Sequence, residues 1–269
     1  MSVADIRARF RELHAREQLF VMPNPWDVGS AMLLESLGFE ALATTSAGFA
    51  LAIGKRDQTV TRDELVEHVG RLAAATPLPL NVDSERLYPD DPGGVAEAVA
   101  LLADAGAAGC SIEDYDPATG RIDEVGVASE RVAIAAEAAH SLAEPMVLTA
   151  RAENHLYDIG DLDDTTARLV AYRDAGADVA YAPGLRALDE VARVVGAVGV
   201  PVNVLALRDG PSVSELASVG VRRVSTGSLL SRAAYGAFVA GAEELRDAGT
   251  SSYGAGALTS DRSDAMLER

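Results

Sequence analysis

Residues 95–114 read VAEAVALLADAGAAGCSIED, and this segment contains a complete structural unit. Positions 95–103 place apolar residues three and four apart, which predicts a helix with one buried face. Gly106 follows at a position where a helix C-cap needs a positive φ. The apolar run 109–112 is typical of a strand buried on both faces, and Glu113 and Asp114 come directly after it. The segment therefore predicts a helix, then a buried parallel strand with acids at its end.

The same unit recurs along the chain. Short apolar runs that end in polar, Gly or Pro residues predict strands at 19–22, 41–45, 78–83, 109–112, 146–151, 178–182, 200–205 and 222–226. Helical patterns lie between them, and successive strand ends are about 29 residues apart on average, so we predict a single-domain (β/α)8 TIM barrel. A doubly wound open sheet is the alternative, but its usual G-x-G-x-x-G phosphate turn does not occur in the sequence.

Two further segments flank the predicted barrel. Residues 3–18 have the pattern of an amphipathic helix that would close the bottom of the barrel, so the barrel with this helix is assigned to residues 1–249. Residues 250–269 begin with small and polar residues and end with charged ones. We expect this C-terminal extension to be flexible or to dock against a partner.

Composition argues against several classes of partner. The 269 residues contain 23 Lys and Arg against 41 Asp and Glu, a net charge of −18 that repels nucleic-acid phosphates and anionic lipid. The single cysteine, Cys110, cannot form an internal disulfide and is expected to pack in a strand. No apolar run approaches the roughly 18 residues of a membrane span, and the N-terminus lacks a signal-peptide core. We therefore expect a cytoplasmic protein that binds neither nucleic acid nor membrane.

Acidic residues follow several of the predicted strands. The carboxyl ends of the strands of a parallel barrel form one open mouth, where Asp83, Glu85 and Glu113 would come together. Clustered carboxylates without His or Cys favour Mg²⁺, with Mn²⁺ as a substitute, because these ions prefer oxygen ligands. The alternative is that each acid caps the next helix or faces solvent in a loop.

Other polar residues are expected at the same mouth. Arg151 ends a buried strand and is suited to clamp a substrate carboxylate, although an ion pair with Glu113 or Glu153 is the alternative. The loop 46–48, Ser-Ala-Gly, offers backbone N–H groups to an anion, or is a plain turn. Trp26 and Asn203 are further candidates for the pocket wall, and His155 for an acid or base. His14, His68 and His140 lie on predicted helices and are expected at the surface.

Taken in order, these motifs resemble the isocitrate lyase and phosphoenolpyruvate mutase superfamily. The resemblance runs from about residue 19 to residue 238, and six segments carry it: 25–31 (PWDVGSA), 44–48 (TTSAG), 61–65 (TRDEL), 83–85 (DSE), 111–114 (SIED) and 150–151 (AR). It implies a Mg²⁺-dependent barrel that binds 2-oxo or related carboxylic acids and stabilises an enolate while a C–C or P–C bond breaks or forms. It also implies homodimers or homotetramers in which a C-terminal helix, here within 233–245, is swapped between subunits.

The resemblance assigns a role to each candidate residue. Asp83 is implied as the direct metal ligand, with Asp57, Glu85 and Glu113 reached through waters. Ser46, Ala47 and Gly48 would hold the substrate carboxylate, and Arg151 would anchor its other end. The expected catalytic residues are Arg151, Glu113 and Asp57, and the expected substrate-binding residues are Trp26, Ser46, Ala47, Gly48, Arg151 and Asn203.

Departures from the superfamily patterns narrow the expected activity. Residues 114–121 replace the Lys-Cys-Gly loop of the lyase branches, and 87–89 (LYP) replace the Gly-Tyr-Gly of the phosphonate branches. The sixth strand ends in Ala-Pro-Gly at 182–184, without the His or Glu of some members, so no proton donor is assigned. We expect a lyase that cleaves a C–C bond in, or decarboxylates, a small 2-oxo or hydroxy di-acid. The alternatives are phosphonate chemistry and a non-catalytic binding barrel.

Overall fold

Eight parallel strands form the centre of the computed structural model, which describes residues 1–268. They pair in the order β1-β10-β9-β8-β7-β4-β3-β2. Their bounds are β1 Phe20–Met22, β2 Leu42–Ala43, β3 Leu80–Val82, β4 Gly109–Glu113, β7 Val147–Arg151, β8 Val179–Tyr181, β9 Val202–Leu205 and β10 Arg223–Ser225. Each strand lies within or overlaps a predicted one, so the (β/α)8 barrel is confirmed.

The ring of barrel strands is completed by contacts between β2 and the residues that follow β1. The Ala43 N–H donates to the Pro23 carbonyl over 3.0 Å. Beside it, the Asn24 side chain donates to the Thr44 carbonyl over 2.6 Å and accepts from the Thr226 N–H over 2.8 Å. One amide thus joins the loops that follow β1, β2 and β10, and it fixes the rim of the barrel mouth at this seam.

Helices surround the strands and follow the predicted periodicity. Their bounds are α1 Val3–Ala15, α2 Val28–Ser36, α3 Ser46–Ala52, α4 Arg62–Ala75, α5 Gly94–Asp104, α6 Val125–His140, α7 Leu162–Asp174, α8 Leu188–Val198, α9 Val213–Ser218, α10 Leu229–Ala248 and α11 Ser260–Leu267. Gly106 and Gly176 end two of the helix-to-strand junctions at φ +100° and +107°. A Cβ there would lie within 3 Å of an alanine Cβ on a neighbouring helix, so both positions need glycine.

The barrel interior changes from apolar at the bottom to polar towards the mouth. Phe10 and Leu13 of α1 are fully buried and pack against Phe20 and Val147, which closes the bottom as the pattern of 3–18 predicts. Above this plug, the inward positions carry polar side chains instead of the usual branched apolar ones. They are Asn81, Ser111, Thr149, Asn203, Arg223 and Ser225, each at most 6% exposed.

Several details differ from the sequence-based expectations. His68 was expected at the surface but is 6% exposed and stacks on Phe49 at 3.8 Å between ring centroids, because it shares the buried face of α4 with Leu65 and Leu72. His14 is half-buried and lies against Arg223, whereas His140 is exposed as expected. Cys110 is fully buried, as predicted.

Two structured segments were not predicted. A short antiparallel hairpin, β5 Tyr115–Asp116 and β6 Arg121–Ile122, follows the fourth barrel strand. In the C-terminal extension, a 3₁₀ turn Ser252–Gly256 precedes α11, which packs on α2 of the same chain. Within residues 1–268, the helices are too short or too polar to cross a membrane.

Candidate active site

A cavity of about 150 Å³ opens at the carboxyl ends of the strands. It combines loop residues of the mouth with the polar side chains of the barrel interior. Its lining includes Met22, Asn24, Thr44, Thr45, Ser46, Ala47, Asp57, Asn81, Asp83, Ser111, Thr149, Arg151, Leu156, Tyr181, Pro183, Asn203, Leu205, Arg223, Ser225 and Ser228. The cavity lies where barrel enzymes place their reacting groups.

Arg151 forms the centre of a charge network at the mouth. As the last residue of β7 it points inward, and its guanidinium bonds to Asp83, to Glu113 Oε2 at 3.0 Å and to Glu153 Oε1 at 2.8 Å. Its side chain is 14% exposed. The three carboxylates raise the pKa of Arg151 against the effect of burial, so the guanidinium stays charged. Both sequence-based alternatives therefore hold: Arg151 pairs with Glu113 and Glu153, and it also lines the cavity.

Asp83 is held from two sides. One oxygen bonds to Arg151, and Oδ2 accepts from the Ser46 N–H and from Ser46 Oγ, each at 2.9 Å. Its own N–H donates to Thr44 Oγ1 over 2.8 Å, which fixes the backbone at the end of β3. Because Asp83 lines the cavity with both oxygens oriented, it is pre-positioned to bind a ligand there.

Two further acids, Glu85 and Asp57, lie close enough to Asp83 to interact with its charge. Burial, and then the charges of Asp83 and Asp57, raise the pKa of Glu85 to about 8. Burial and the charge of Asp83 also raise the pKa of Asp57. Glu85 Oε1 is buried without a hydrogen-bond partner, on a residue whose φ is +48°. A strained acid with one unpartnered buried oxygen, beside two other acids, is an arrangement that a cation would stabilise.

These acids fit a hard divalent ion held mostly by water. All the donors are carboxylate oxygens, which suits Mg²⁺. Within residues 1–268, however, no three acidic, His or Cys side chains come close enough to hold an ion by themselves. An ion here would therefore contact few protein atoms directly and keep several waters.

Glu113 lies behind the cavity and does not line it. It is 3% exposed, and besides Arg151 it accepts from Gln58 Nε2 over 2.9 Å. Burial is the main reason why the pKa of Glu113 lies above its ordinary value. Glu113 is therefore placed to orient Arg151, and it would contact a ligand in the cavity only through another group.

Only part of the predicted anion-binding loop 46–48 lines the cavity. Ser46 and Ala47 line the cavity, but Gly48 does not. The Gly48 N–H donates to Thr45 Oγ1 over 3.2 Å, and a Cβ at this position would meet Thr45 and Ser231 within 3 Å. Gly48 therefore permits close packing and offers no free donor to a substrate.

A family model named phosphoenolpyruvate phosphomutase matches residues 10–246, most of the chain. The chain belongs to the phosphoenolpyruvate mutase family. An uncharacterized protein of Mycobacterium tuberculosis is 35% identical over 223 residues, 82% of each chain. The oxaloacetate decarboxylase of Paraburkholderia xenovorans is 32% identical over 209 residues, which cover 73% of this chain and 67% of that one.

Two solved structures of family members share the barrel. A Burkholderia cenocepacia J2315 protein, described as a lyase/mutase on the basis of similarity, has a TM-score of 0.94 at 49% identity over 98% of this chain and 96% of its own. An oxaloacetate acetylhydrolase in complex with its product oxalate has a TM-score of 0.87 at 26% identity, over 98% and 94%. The family therefore includes enzymes whose names specify chemistry on a small di-acid.

Of three other candidates from the sequence of this family member, only Asn203 lines the cavity. Trp26 does not line the cavity, and its N–H donates to Ser30 Oγ over 3.0 Å at the start of α2, which is ordinary loop packing. Asn203 does line the cavity, but its amide is already bonded to Ser225 Oγ and Arg223 Nε, each at 2.9 Å. His155 is half-buried and does not line the cavity.

Tyr181 and Arg223 are among the cavity residues that sequence reasoning missed. Tyr181 is the last residue of β8 and Arg223 the first residue of β10, but both lie inside the predicted strands, whereas the polar candidates follow from residues at or after the predicted strand ends. The Arg151 guanidinium lies 5.4 Å from the centre of the Tyr181 ring, in cation–π range. Strict alternation along β8 and β10 would have placed both residues on the inner face.

Arg86 fixes the hairpin that follows the fourth barrel strand. Its guanidinium lies 3.0 Å from both Asp116 and Asp123, and Asp123 in turn bonds to the buried Arg131. Tyr115 of the hairpin stacks on Tyr157 at 4.0 Å between ring centroids. The loop after the fourth barrel strand is therefore held by ion pairs and an aromatic contact beside the mouth.

Proposed function

We propose that this family member is a Mg²⁺-dependent lyase acting on a small 2-oxo or hydroxy di-acid, by C–C cleavage or decarboxylation through an enolate. The observation that carries the proposal is the placement of Asp83, oriented by Arg151 and Ser46 at the mouth, with Asp57 and Glu85 beside it. Asp83 would bind the ion directly, and Asp57, Glu85 and Glu113 through waters. Mn²⁺ would substitute for Mg²⁺.

The bound ion would supply a Lewis acid that absorbs negative charge developing on a substrate oxygen. The chain's own residues do the rest. Arg151 presents a planar guanidinium to a carboxylate, and Glu113 and Glu153, both buried, keep that fork in place. Ser46 and Ala47 also line the cavity, and the Ser46 N–H and hydroxyl orient Asp83 by donating to its Oδ2.

Tyr181 is our candidate for the proton donor that the sequence did not provide. Its phenol lines the cavity next to Arg151. Burial is the first cause that raises the pKa of Tyr181, so Oη keeps its proton at neutral pH. A neutral O–H group in this position is able to donate to the carbon that carries negative charge after bond cleavage.

Two comparisons support a di-acid substrate. Relatives named for oxaloacetate chemistry match the chain at 32% and 26% identity, and one of them binds oxalate. Phosphonate chemistry remains the second candidate because the family model is named for a phosphomutase. A non-catalytic barrel is the third, but a binding scaffold has no need for a strained acid with an unpartnered buried oxygen beside its cavity.

The deciding experiment incubates the protein and Mg²⁺ with oxaloacetate, alkylmalates and phosphonopyruvate. Pyruvate or a 2-oxo acid formed without phosphate supports the proposal, and phosphate release from phosphonopyruvate supports the second candidate. Lack of turnover of every compound would favour the binding barrel. Omission of Mg²⁺, with chelator added, is the control in each case.

The cellular location and the oligomeric state are also part of the proposal. We propose a cytoplasmic homodimer or homotetramer whose partner is its small carboxylic acid substrate. The support for association is α10, which leaves Phe238, Val239 and Leu245 at least half exposed. Large apolar side chains grouped on one helix are typical of a protein–protein contact.

A further inference from the structure

Arg223 is a buried arginine at the floor of the cavity. It is 1% exposed and is the first residue of β10, whereas Arg151 is the last residue of β7, so the two guanidinium groups lie at different depths. Both line the same cavity. A di-acid that enters from the mouth therefore meets one cation at the rim and another at the floor.

The partners of Arg223 are neutral. Nε donates to Asn203 Oδ1 and Nη2 to Thr149 Oγ1, each over 2.9 Å, and Nη1 lies 3.1 Å from His14 Nε2. His14 is uncharged at neutral pH because burial and the charge of Arg223 lower its pKa to about 3. Among residues 1–268, no carboxylate forms an ion pair with Arg223.

The lack of an acid partner distinguishes Arg223 from Arg151. Arg151 has three acid partners, whereas Arg223 bears a positive charge that the protein does not neutralise. Fully buried arginines are rare without a charged partner, since an isolated buried charge is costly. The bonds to Asn203 Oδ1 and Thr149 Oγ1 go to neutral acceptors and do not balance the charge. An anion in the cavity would supply the missing partner.

The walls around Arg223 suit an oxyanion. Ser111, Thr149 and Ser225 line the same cavity as Arg223, each at most 6% exposed. Guanidinium and hydroxyl donors in a dry pocket are the groups that bind carboxylates tightly.

We propose that Arg223 and the surrounding hydroxyls form a subsite for the distal carboxylate of the substrate. This inference rests on the proposed function, which places the first carboxylate and its neighbouring oxygen at Asp83, Ser46 and Arg151. The floor subsite then selects acids that bear a second carboxylate and are long enough to reach it.

The test is a calorimetric titration in Mg²⁺ with three ligands. Oxalate occupies the mouth only, whereas malate and 2-hydroxybutyrate share a four-carbon chain and differ in the distal carboxylate. For the wild-type protein we expect malate to bind about 10- to 100-fold more tightly than 2-hydroxybutyrate, as one charge-assisted contact implies. In Arg223→Met the two should bind equally, with oxalate unchanged. Arg222→Met, which removes the neighbouring outward arginine bonded to the Glu17 carbonyl, is the matched control.

Each outcome has one meaning. Failure of the wild-type protein to bind oxalate overturns the proposed function and this subsite together. Oxalate binding without a preference for malate overturns the subsite alone, and this comparison needs no variant that must fold. A preference that survives in Arg223→Met also contradicts the subsite. If the subsite instead holds a free inorganic anion, added chloride will alter oxalate and malate binding alike, and chain length will have no effect.

Discussion

At the residue scale, the site depends on how each charge is neutralised. Arg151 and Asp83 neutralise one another at the mouth, while burial, together with neighbouring carboxylates, raises the pKa values of Glu85 and Asp57. Tyr181 stays neutral in contact with this network. The mouth therefore combines fixed charge for binding with an O–H group for proton transfer.

Tyr181→Phe tests the proton donor at this scale. It removes one hydroxyl and keeps the ring against Arg151, so Mg²⁺-dependent oxalate binding should not change. Turnover of the accepted substrate should fall about 100-fold or more, the usual contribution of a positioned acid. Steady-state kinetics with calorimetry separates the two effects, and the exposed Tyr253→Phe is the control. Full turnover in Tyr181→Phe would contradict the assignment.

The acids that follow strands were predictable from the sequence. Asp83, Glu85 and Glu113 follow apolar runs, so the barrel topology alone brings them near one mouth. Strict alternation would also have placed Arg223 on the inner face of β10, but its contacts were not predictable, because they involve partners from three other elements. Trp26 does not line the cavity, and the bond from its N–H to Ser30 Oγ is a local contact that sequence spacing does not specify.

At the element scale, α1 links the barrel floor to pH. His14 Nδ1 donates to the Phe10 carbonyl over 2.8 Å, and Nε2 lies against Arg223; burial and this charge lower the pKa of His14 from 6.5 to about 3. Below about pH 6.5 the unfolded chain therefore binds a proton at His14, whereas the folded chain keeps His14 neutral. The contribution of neutral His14 to the free energy of unfolding is fully present above that pH and is lost as the pH falls.

His14→Gln should flatten this dependence. Glutamine keeps a neutral acceptor for Arg223 but does not titrate, so the wild-type protein should lose stability relative to the variant by up to about 1.4 kcal/mol per pH unit below pH 6.5. Urea unfolding at pH values from about 7 to about 4.5 measures the difference. The exposed His140→Gln is the control. Parallel curves for wild type and His14→Gln would show that His14 is protonated in the folded state.

The elements themselves were predictable where they bury an apolar face. The eight barrel strands follow from apolar runs and α4 from its periodicity, whose full use would also have placed His68 inside. The β5–β6 hairpin was not predictable, because strands of two residues have no pattern and the Arg86 ion pairs that hold them join distant parts of the chain.

At the scale of the whole molecule, we expect copies of the chain to associate through α10. Phe238 is 70% exposed, and Leu51 of α3 lies beside it on the same surface. Phe238→Glu should convert the proposed homodimer or homotetramer to monomers, because a charge cannot be buried in an apolar contact without a partner. Light scattering coupled to gel filtration gives the mass, and Val127→Glu on the outer face of α6 is the control. A monomeric wild-type protein would contradict the expectation.

The central claim is that acids from separate strands bind one divalent ion, which then holds a di-acid oxygen. The most direct measurement is calorimetry of oxalate with and without Mg²⁺, on the wild-type protein and Asp83→Ala, with the exposed loop variant Asp90→Ala as control. We expect oxalate to bind the wild type and Asp90→Ala only when Mg²⁺ is present, and Asp83→Ala not at all, with unchanged circular dichroism. Oxalate binding that is equally strong without Mg²⁺, or that survives in Asp83→Ala, would contradict the account.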